Sequence, residues 1–598
     1  MSALGVGLWI LISSTSTITD SRPPLSDEEL QLLQSIEAEQ IDVEEAEKPE
    51  GAQIEDDSYE SLGRRAVQDW RSWAATLTEN LAASDLAVRW TRDEPGHLKP
   101  VVKGQATHRS LTTLDGLPIR TMFDGVNELG AAVLFDPQTV SGPQLTDSRL
   151  QLRRGGAHLV ASSKTGIESW LTSGSYLRDY GAGIGFGHRT DALNVYGQVA
   201  ASQPATGYLT AEQDTVRFNG HLRTSSLRSP DSLVFWGIGV DLDEVQDFVR
   251  WELDSNGRAI EKKRSRTGGF GRWGFTGKVL DVDILPFYYR YLTEQERPRQ
   301  SPSKENVHQL GMNVMAAAKV SGTAKIGVQL QGQKQVGEHG DGDILNSADF
   351  AELKAGLSAY VGNTLDRNAA RSFFEAMIGY AFGEQVQDQE DDRFRYLYGS
   401  LAGAYQLFNS LTVFGSIEYS PQFPTLKDRM RGAAGELEHL IQSTLGFATS
   451  WRSVALTTEF YSNQYTNLRM FNPFDSGVKT LEDQLDLGSL VSICWKISED
   501  FEIRGSNGLE RTNSSDYHFR RLRLVYRRRQ EGLLAEASVS QWSNTTLWTS
   551  LAFEAPFLDK HFLARLLLEN IQDYQSFRPD SSIPEPELNL RLFLKATW

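Results

Sequence analysis

Leu588-Asn589-Leu590-Arg591-Leu592-Phe593-Leu594-Lys595-Ala596-Thr597-Trp598 is the stretch whose reading decides the fold. Leu588, Leu590, Leu592, Leu594, Ala596 and Trp598 share one parity; Asn589, Arg591, Phe593, Lys595 and Thr597 share the other. A period of two is the side-chain period of a β-strand. A tilted strand needs about 9 to 11 residues to cross a bilayer, with an apolar outer face, a mostly polar inner face and an aromatic at the interface. The stretch meets each requirement, and Trp598 stands where an assembly signal on a final strand would be read.

The same alternation recurs upstream. Val234, Trp236, Ile238 and Val240 share a parity; Trp273, Phe275, Gly277 and Val279 oppose Thr276 and Lys278. Leu411, Val413, Ile417 and Tyr419 oppose Thr412, Ser416 and Glu418, and Val454, Leu456 and Phe460 oppose Thr457 and Glu459. Counting such runs from Leu177 onward predicts about 20 to 22 strands, with antiparallel neighbours joined mostly by short turns. Asp241 to Arg266, rich in both charge signs, reads as an exposed loop. An open sheet of this size would leave two unpaired edges in hydrocarbon, each orphan backbone group costing several kcal/mol, so the sheet is expected to close. A lumen that wide needs a plug if it is not to leak.

Composition agrees with a barrel. The 598 residues are 23% charged and have a mean hydropathy of −0.38, because only every second strand residue meets lipid. No apolar run reaches the ~18 residues of a spanning helix. Cys494, the single cysteine, permits no internal disulfide and reads as a strand residue.

Four segments follow from texture. Residues 1–20, with the apolar run Ala3 to Ile12 and small residues after it, read as a signal peptide. Residues 21–57 form an acidic tail: between Ser21 and Glu60 there are 14 Asp or Glu against Arg22 and Lys48, which is two thirds of the net charge of −18. Such a segment reads equally as a flexible periplasmic tail and as a docking peptide. Residues 58–172 are expected to be a small α+β domain inside the lumen, its helix over 66–86 carrying Val67, Trp70, Trp73, Ala74, Leu77 and Leu81 on one stripe. Residues 173–598 are the barrel.

Within 58–172, Lys103-Gly104-Gln105, Asp115-Gly116 and Arg154-Gly155 each follow a predicted strand, and Pro424-Thr425-Leu426 lies in the barrel. In this order, and beside the final strand, the motifs resemble those of TonB-dependent outer-membrane receptors, with Lys103 in place of the family's arginine. The resemblance covers roughly residues 60 to 598. It implies an all-β transmembrane barrel of about 22 strands around a plug, in the outer membrane of a Gram-negative bacterium. It also implies binding of a scarce nutrient such as an iron-siderophore, haem or vitamin complex, and energy coupling through a TonB-type periplasmic protein. A coupling box is not evident; Gln40-Ile41-Asp42-Val43-Glu44 is the nearest match. A second class therefore stands beside it: a non-transporting plugged barrel that docks another envelope protein through the acidic tail.

Leu522, Leu524 and Tyr526 define a lipid face around Phe519 to Arg529, which turns Arg521, Arg523, Arg527 and Arg529 to the lumen. This basic row either pairs with plug carboxylates or forms a track for an anionic ligand. No Ser-His-Asp order, HExxH, CxxC or phosphate loop is found and the ten histidines lack ligand spacing, so no catalytic residue, metal, cofactor or nucleic-acid partner is expected. Gly181, Gly183, Gly185 and Gly187 alternate with Ala182, Ile184 and Phe186, the period of a strand and not of a nucleotide loop.

Overall fold

The computed structural model describes residues 64–66, 88–94, 97–103, 111–114, 117–118, 140–146 and 149–154, then 166–597 apart from stretches at strand connections. The described residues contain 29 strands. Twenty-two of them, from β8 (Gly166–Gly174) to β29 (Asn589–Thr597), form one closed barrel in which every strand is antiparallel to its neighbours. Closure comes from β29 pairing back onto β8, from Arg591 opposite Gly174 to Thr597 opposite Glu168. No edge is left, which is what hydrocarbon demands of a sheet.

Side-chain burial follows the sequence parity. On β21 (Glu438–Trp451), Ile441, Leu445 and Phe447 are exposed on the outside, while Leu440, Gln442 and Thr444 are buried inside. On β29, Leu590 and Leu592 face out, and Asn589, Arg591 and Phe593 are buried. On β25 (Asp516–Arg528), Leu522, Leu524 and Tyr526 face out as read from the sequence. Taken around the barrel, the outer positions make a continuous apolar belt, a patch far too large for a water-facing surface. Trp273, Trp451 and Trp495 border it at one end, and Tyr288, Phe382 and Tyr419 lie towards the other, where amphipathic rings suit the interfaces.

The two ends differ. Tight turns such as Gly277 to Leu280 and Ile497 to Phe501, each closed by a backbone hydrogen bond of 3.0 or 2.9 Å, lie at one end. Longer connections, such as 570–588 between β28 (Phe562–Glu569) and β29, lie at the other. In outer-membrane barrels the short turns face the periplasm. The wall is also uneven in height. β12 (Ser232–Arg250) has 19 residues and β13 (Ala259–Thr276) has 18, whereas β28 has 8 and β29 has 9. At about 3.4 Å per residue, β12 runs about 65 Å, well beyond the hydrocarbon.

That height corrects one expectation. Most of 241–266 is not a loop: residues 241–250 continue β12, residues 259–266 belong to β13, and only 251–258 connect them. Two of the charges that suggested a loop stand across the hairpin from a charge of the other sign, Asp243 across from Arg266 and Lys262 across from Asp247. Opposite charges directly across an antiparallel pair favour the register by about 0.2–1 kcal/mol each, so a charged stretch beyond the bilayer remains a strand.

Ahead of the barrel lie a five-stranded sheet and a two-stranded hairpin. The sheet has the order β1-β6-β7-β4-β5, from β1 (Arg64–Ala66), β4 (Leu111–Leu114), β5 (Leu117–Pro118), β6 (Val140–Thr146) and β7 (Arg149–Arg154). β4 and β7 run parallel, and the other pairs are antiparallel. The hairpin joins β2 (Val88–Glu94) to β3 (His97–Val102). Ala66 ends β1, and the rest of the helix expected over 66–86 lies outside the described residues until β2. The first barrel strand begins at Gly166, seven residues before the boundary of 173 drawn from the sequence.

Candidate functional site

Lys103 ends the β2–β3 hairpin and reaches the inner wall of the barrel. Its backbone is left-handed, with φ of 46°, which turns the chain just after β3. For a non-glycine residue that conformation costs roughly 1–2 kcal/mol, and the wall supplies the offset. The amide of Asn463 donates to the Lys103 carbonyl at 2.7 Å, the ammonium donates to the Thr444 hydroxyl at 3.3 Å, and Glu459 Oε2 lies 3.4 Å from Nζ. Thr444 is on β21, and Glu459 and Asn463 are on β22 (Val454–Phe471), all at inward positions. Both charged side chains are more than nine-tenths buried. A buried ion pair stays favourable only when further hydrogen bonds satisfy it, and here Thr444 takes that part.

Clockwise or anticlockwise, neighbouring strands carry charges that pair along the wall. Arg523 on β25 makes two hydrogen bonds, of 3.0 and 2.9 Å, to Glu536 on β26 (Leu533–Trp542). Arg521 donates to Ser540 at 3.1 Å. Arg565 meets Glu554 at 2.7 Å, and Arg469 lies 3.4 Å from Glu438, whose carboxylate also accepts the Arg469 backbone N–H at 3.0 Å. Arg521, Arg523 and Arg527 thus occupy the lumenal parity read from the sequence, and the carboxylate beside Arg523 belongs to the adjacent strand.

A second sector of the wall, a few strands from the Lys103 anchor, differs in chemistry. β16 (Ala324–Asp341) turns Gln329, Gln331, Gln333 and Gln335 inward in succession. Gln309 on β15 (Ser303–Lys319) donates to Gln333 at 3.1 Å, and Gln333 donates to Glu352 at 3.1 Å. Tyr396 donates to the other Glu352 oxygen at 2.7 Å, while Lys354 pairs with Glu352 at 3.1 Å. Phe394 stacks on Phe423 with ring centroids 4.4 Å apart. Sequence reading did not single out this face, although four glutamines at a spacing of two are visible in it.

Of the other sequence motifs, 115–116 connects β4 to β5 and Arg154 ends β7. Gly104, Gln105, Asp115, Gly116, Gly155, Pro424, Thr425, Leu426, Arg529 and Trp598 lie outside the described residues. Among the described residues no group of His, Cys, Asp and Glu could hold a metal ion. Cys494 is a half-buried strand residue whose thiol lies 4.0 Å from Glu502.

No protein-family model and no curated protein matches the chain. Solved structures do. The FrpB iron transporter from Neisseria meningitidis aligns over 90% of this chain and 99% of its own at 10% identity, with a TM-score of 0.72. The copper transporter OprC aligns over 88% and 96% at 11% identity and 0.71. The siderophore receptor PirA from Pseudomonas aeruginosa aligns over 90% and 99% at 12% identity and 0.64. At such identities the likeness is one of fold: a closed antiparallel β-barrel with a small N-terminal domain.

Proposed function

We propose that the chain is an outer-membrane receptor that takes up a scarce nutrient complex, of the iron-siderophore, haem or vitamin kind, and that a periplasmic TonB-type protein drives it by pulling on the plug. The observation that carries this reading is the attachment of Lys103 to Thr444, Glu459 and Asn463 inside a closed barrel. A barrel with an ion-paired stopper is not a passive pore, because cargo crosses only after buried contacts are broken. Opening therefore needs an external input of free energy, and the acidic segment 21–57 ahead of the plug is the proposed coupling handle. The basic row Arg521, Arg523 and Arg527 serves here as structure, with Arg523 paired to Glu536 and Arg521 bonded to Ser540 along the wall. Growth of a deletion strain on defined iron, haem and vitamin sources, with uptake measured before and after collapse of the proton gradient, tests the reading. A specific nutrient requirement with gradient-dependent uptake is expected. Uptake that persists without the gradient contradicts it.

A further inference from the structure

The lipid-facing side of the barrel carries a cation that the chain itself leaves unmatched. We propose that β24 (Phe501–Arg511), β25 and β26 hold the phosphate of a glycolipid headgroup in the leaflet away from the tight turns, with Arg520 as its principal ligand. This rests on the outer-membrane placement in the reading above and is independent of transport.

Parity and register assemble the site. On β25, Asp516, His518, Arg520, Leu522, Leu524 and Tyr526 are exposed on the outside, alternating with Phe519, Arg521 and Arg523 on the inside. Asn507 of β24 stands directly across from Arg520 on one side, and Gln541 of β26 on the other. Opposed residues place their Cβ atoms about 4.5–5.5 Å apart, so one headgroup reaches the guanidinium and both amides. His518 lies two residues further from the tight turns on the same face.

Depth decides what meets these groups. Arg520 and Arg528 are both exposed on the outside and bracket Leu522, Leu524 and Tyr526. Arg528 belongs to the tight-turn end, where it pairs with Glu531 at 3.0 Å. The eight residues from position 520 to position 528, at about 3.4 Å each and tilted by about 40°, span about 21 Å, against about 25 Å for the apolar band of a transmembrane barrel. Arg520 therefore stands at the far headgroup level, on the side away from the lumen.

Charge is in excess there. Among the described residues, Asp516 is the one carboxylate at an outward position of β24 to β26, and it lies 3.6 Å from exposed Arg511. Among those residues Arg520 makes no ion pair or hydrogen bond, which leaves the face positive. A guanidinium binds phosphate through two parallel hydrogen bonds, and flanking amides both donate and accept, as sugar hydroxyls require. A phosphorylated saccharide satisfies both kinds of group, a phosphodiester alone satisfies the first, and an acyl chain satisfies neither.

The test titrates the full chain, in mild detergent, with diphosphoryl lipid A, its dephosphorylated form and phosphatidylglycerol, and reads bound lipid by native mass spectrometry. The parent and Arg528→Ala should bind diphosphoryl lipid A alike, Arg520→Ala about tenfold more weakly, and Asn507→Ala severalfold more weakly. The dephosphorylated lipid should bind weakly and without regard to residue 520. Equal binding of diphosphoryl lipid A by the parent and Arg520→Ala overturns the site. Phosphatidylglycerol bound as tightly, with the same dependence on Arg520, overturns the glycolipid assignment. Heat-modifiable gel mobility verifies that each barrel is closed, and if Arg520→Ala does not close, Arg520→Leu, which extends the apolar belt, carries the same comparison. The receptor reading fails separately, by showing no nutrient requirement in growth, whatever lipid is bound.

Discussion

Replacing Lys103 by Met should loosen the plug far more than the loss of one surface charge would. At 3.4 Å and an effective dielectric constant near 20, the attraction between Lys103 and Glu459 is about 5 kcal/mol before desolvation is counted. Removing the ammonium leaves Glu459 buried without that partner, and breaking a buried pair typically costs 3–5 kcal/mol. The Asn463 bond to the main-chain carbonyl survives the substitution, which keeps the hairpin end in register. We therefore expect Lys103→Met to lower the free energy of plug release by about 3–5 kcal/mol. Adding Glu459→Gln, which removes the stranded charge, should recover most of it. The assay is conductance of single reconstituted barrels during a urea ramp, where the step to an open lumen reports release. The single variant should open at much lower urea, and the double variant near the parent. Losses that simply add in the double variant, or a single variant indistinguishable from the parent, would refute the argument that this pair anchors the plug.

Two further predictions concern the wall. Leu445→Arg places a charge on the outward face at a position 62% exposed to the surroundings, and near the bilayer midplane it should cost about 2–4 kcal/mol of barrel stability, read by urea unfolding in phospholipid vesicles. Gly183→Ala puts a methyl carbon 2.6 Å from the Trp170 ring, so the ring must shift; a loss of about 1–3 kcal/mol is expected in the same measurement, and a neutral result would mean that the ring moves freely.

What the sequence disclosed is what depends on parity alone. The alternation from Leu588 onward and around Leu522 predicted which side chains meet lipid, because a strand's two faces follow from covalent geometry and need no knowledge of neighbours. Strand length was less accessible. Asp243, Asp247, Lys262 and Arg266 look like loop residues singly, and only the register that opposes acid to base shows why a hairpin continues there. The anchor was legible in halves: Lys103 belonged to a plug motif and Glu459 to a polar face. Their meeting joins residues more than 300 positions apart, which no local pattern encodes.

The seam between β29 and β8 is held by only seven opposed residue pairs, against eighteen for a tall hairpin such as β12 with β13. A hoop under tension yields where its joints are narrow, so lateral rupture, or entry of a guest strand during assembly, should occur in this short-walled sector, where β26 and β27 also share only seven pairs, before the tall staves separate. Trp170, stacked on Phe593 with centroids 6.5 Å apart and flattened over Gly183, acts as a rivet across that joint. Aromatic contact thus supplies, at one spot, cohesion that the short zipper of main-chain bonds cannot.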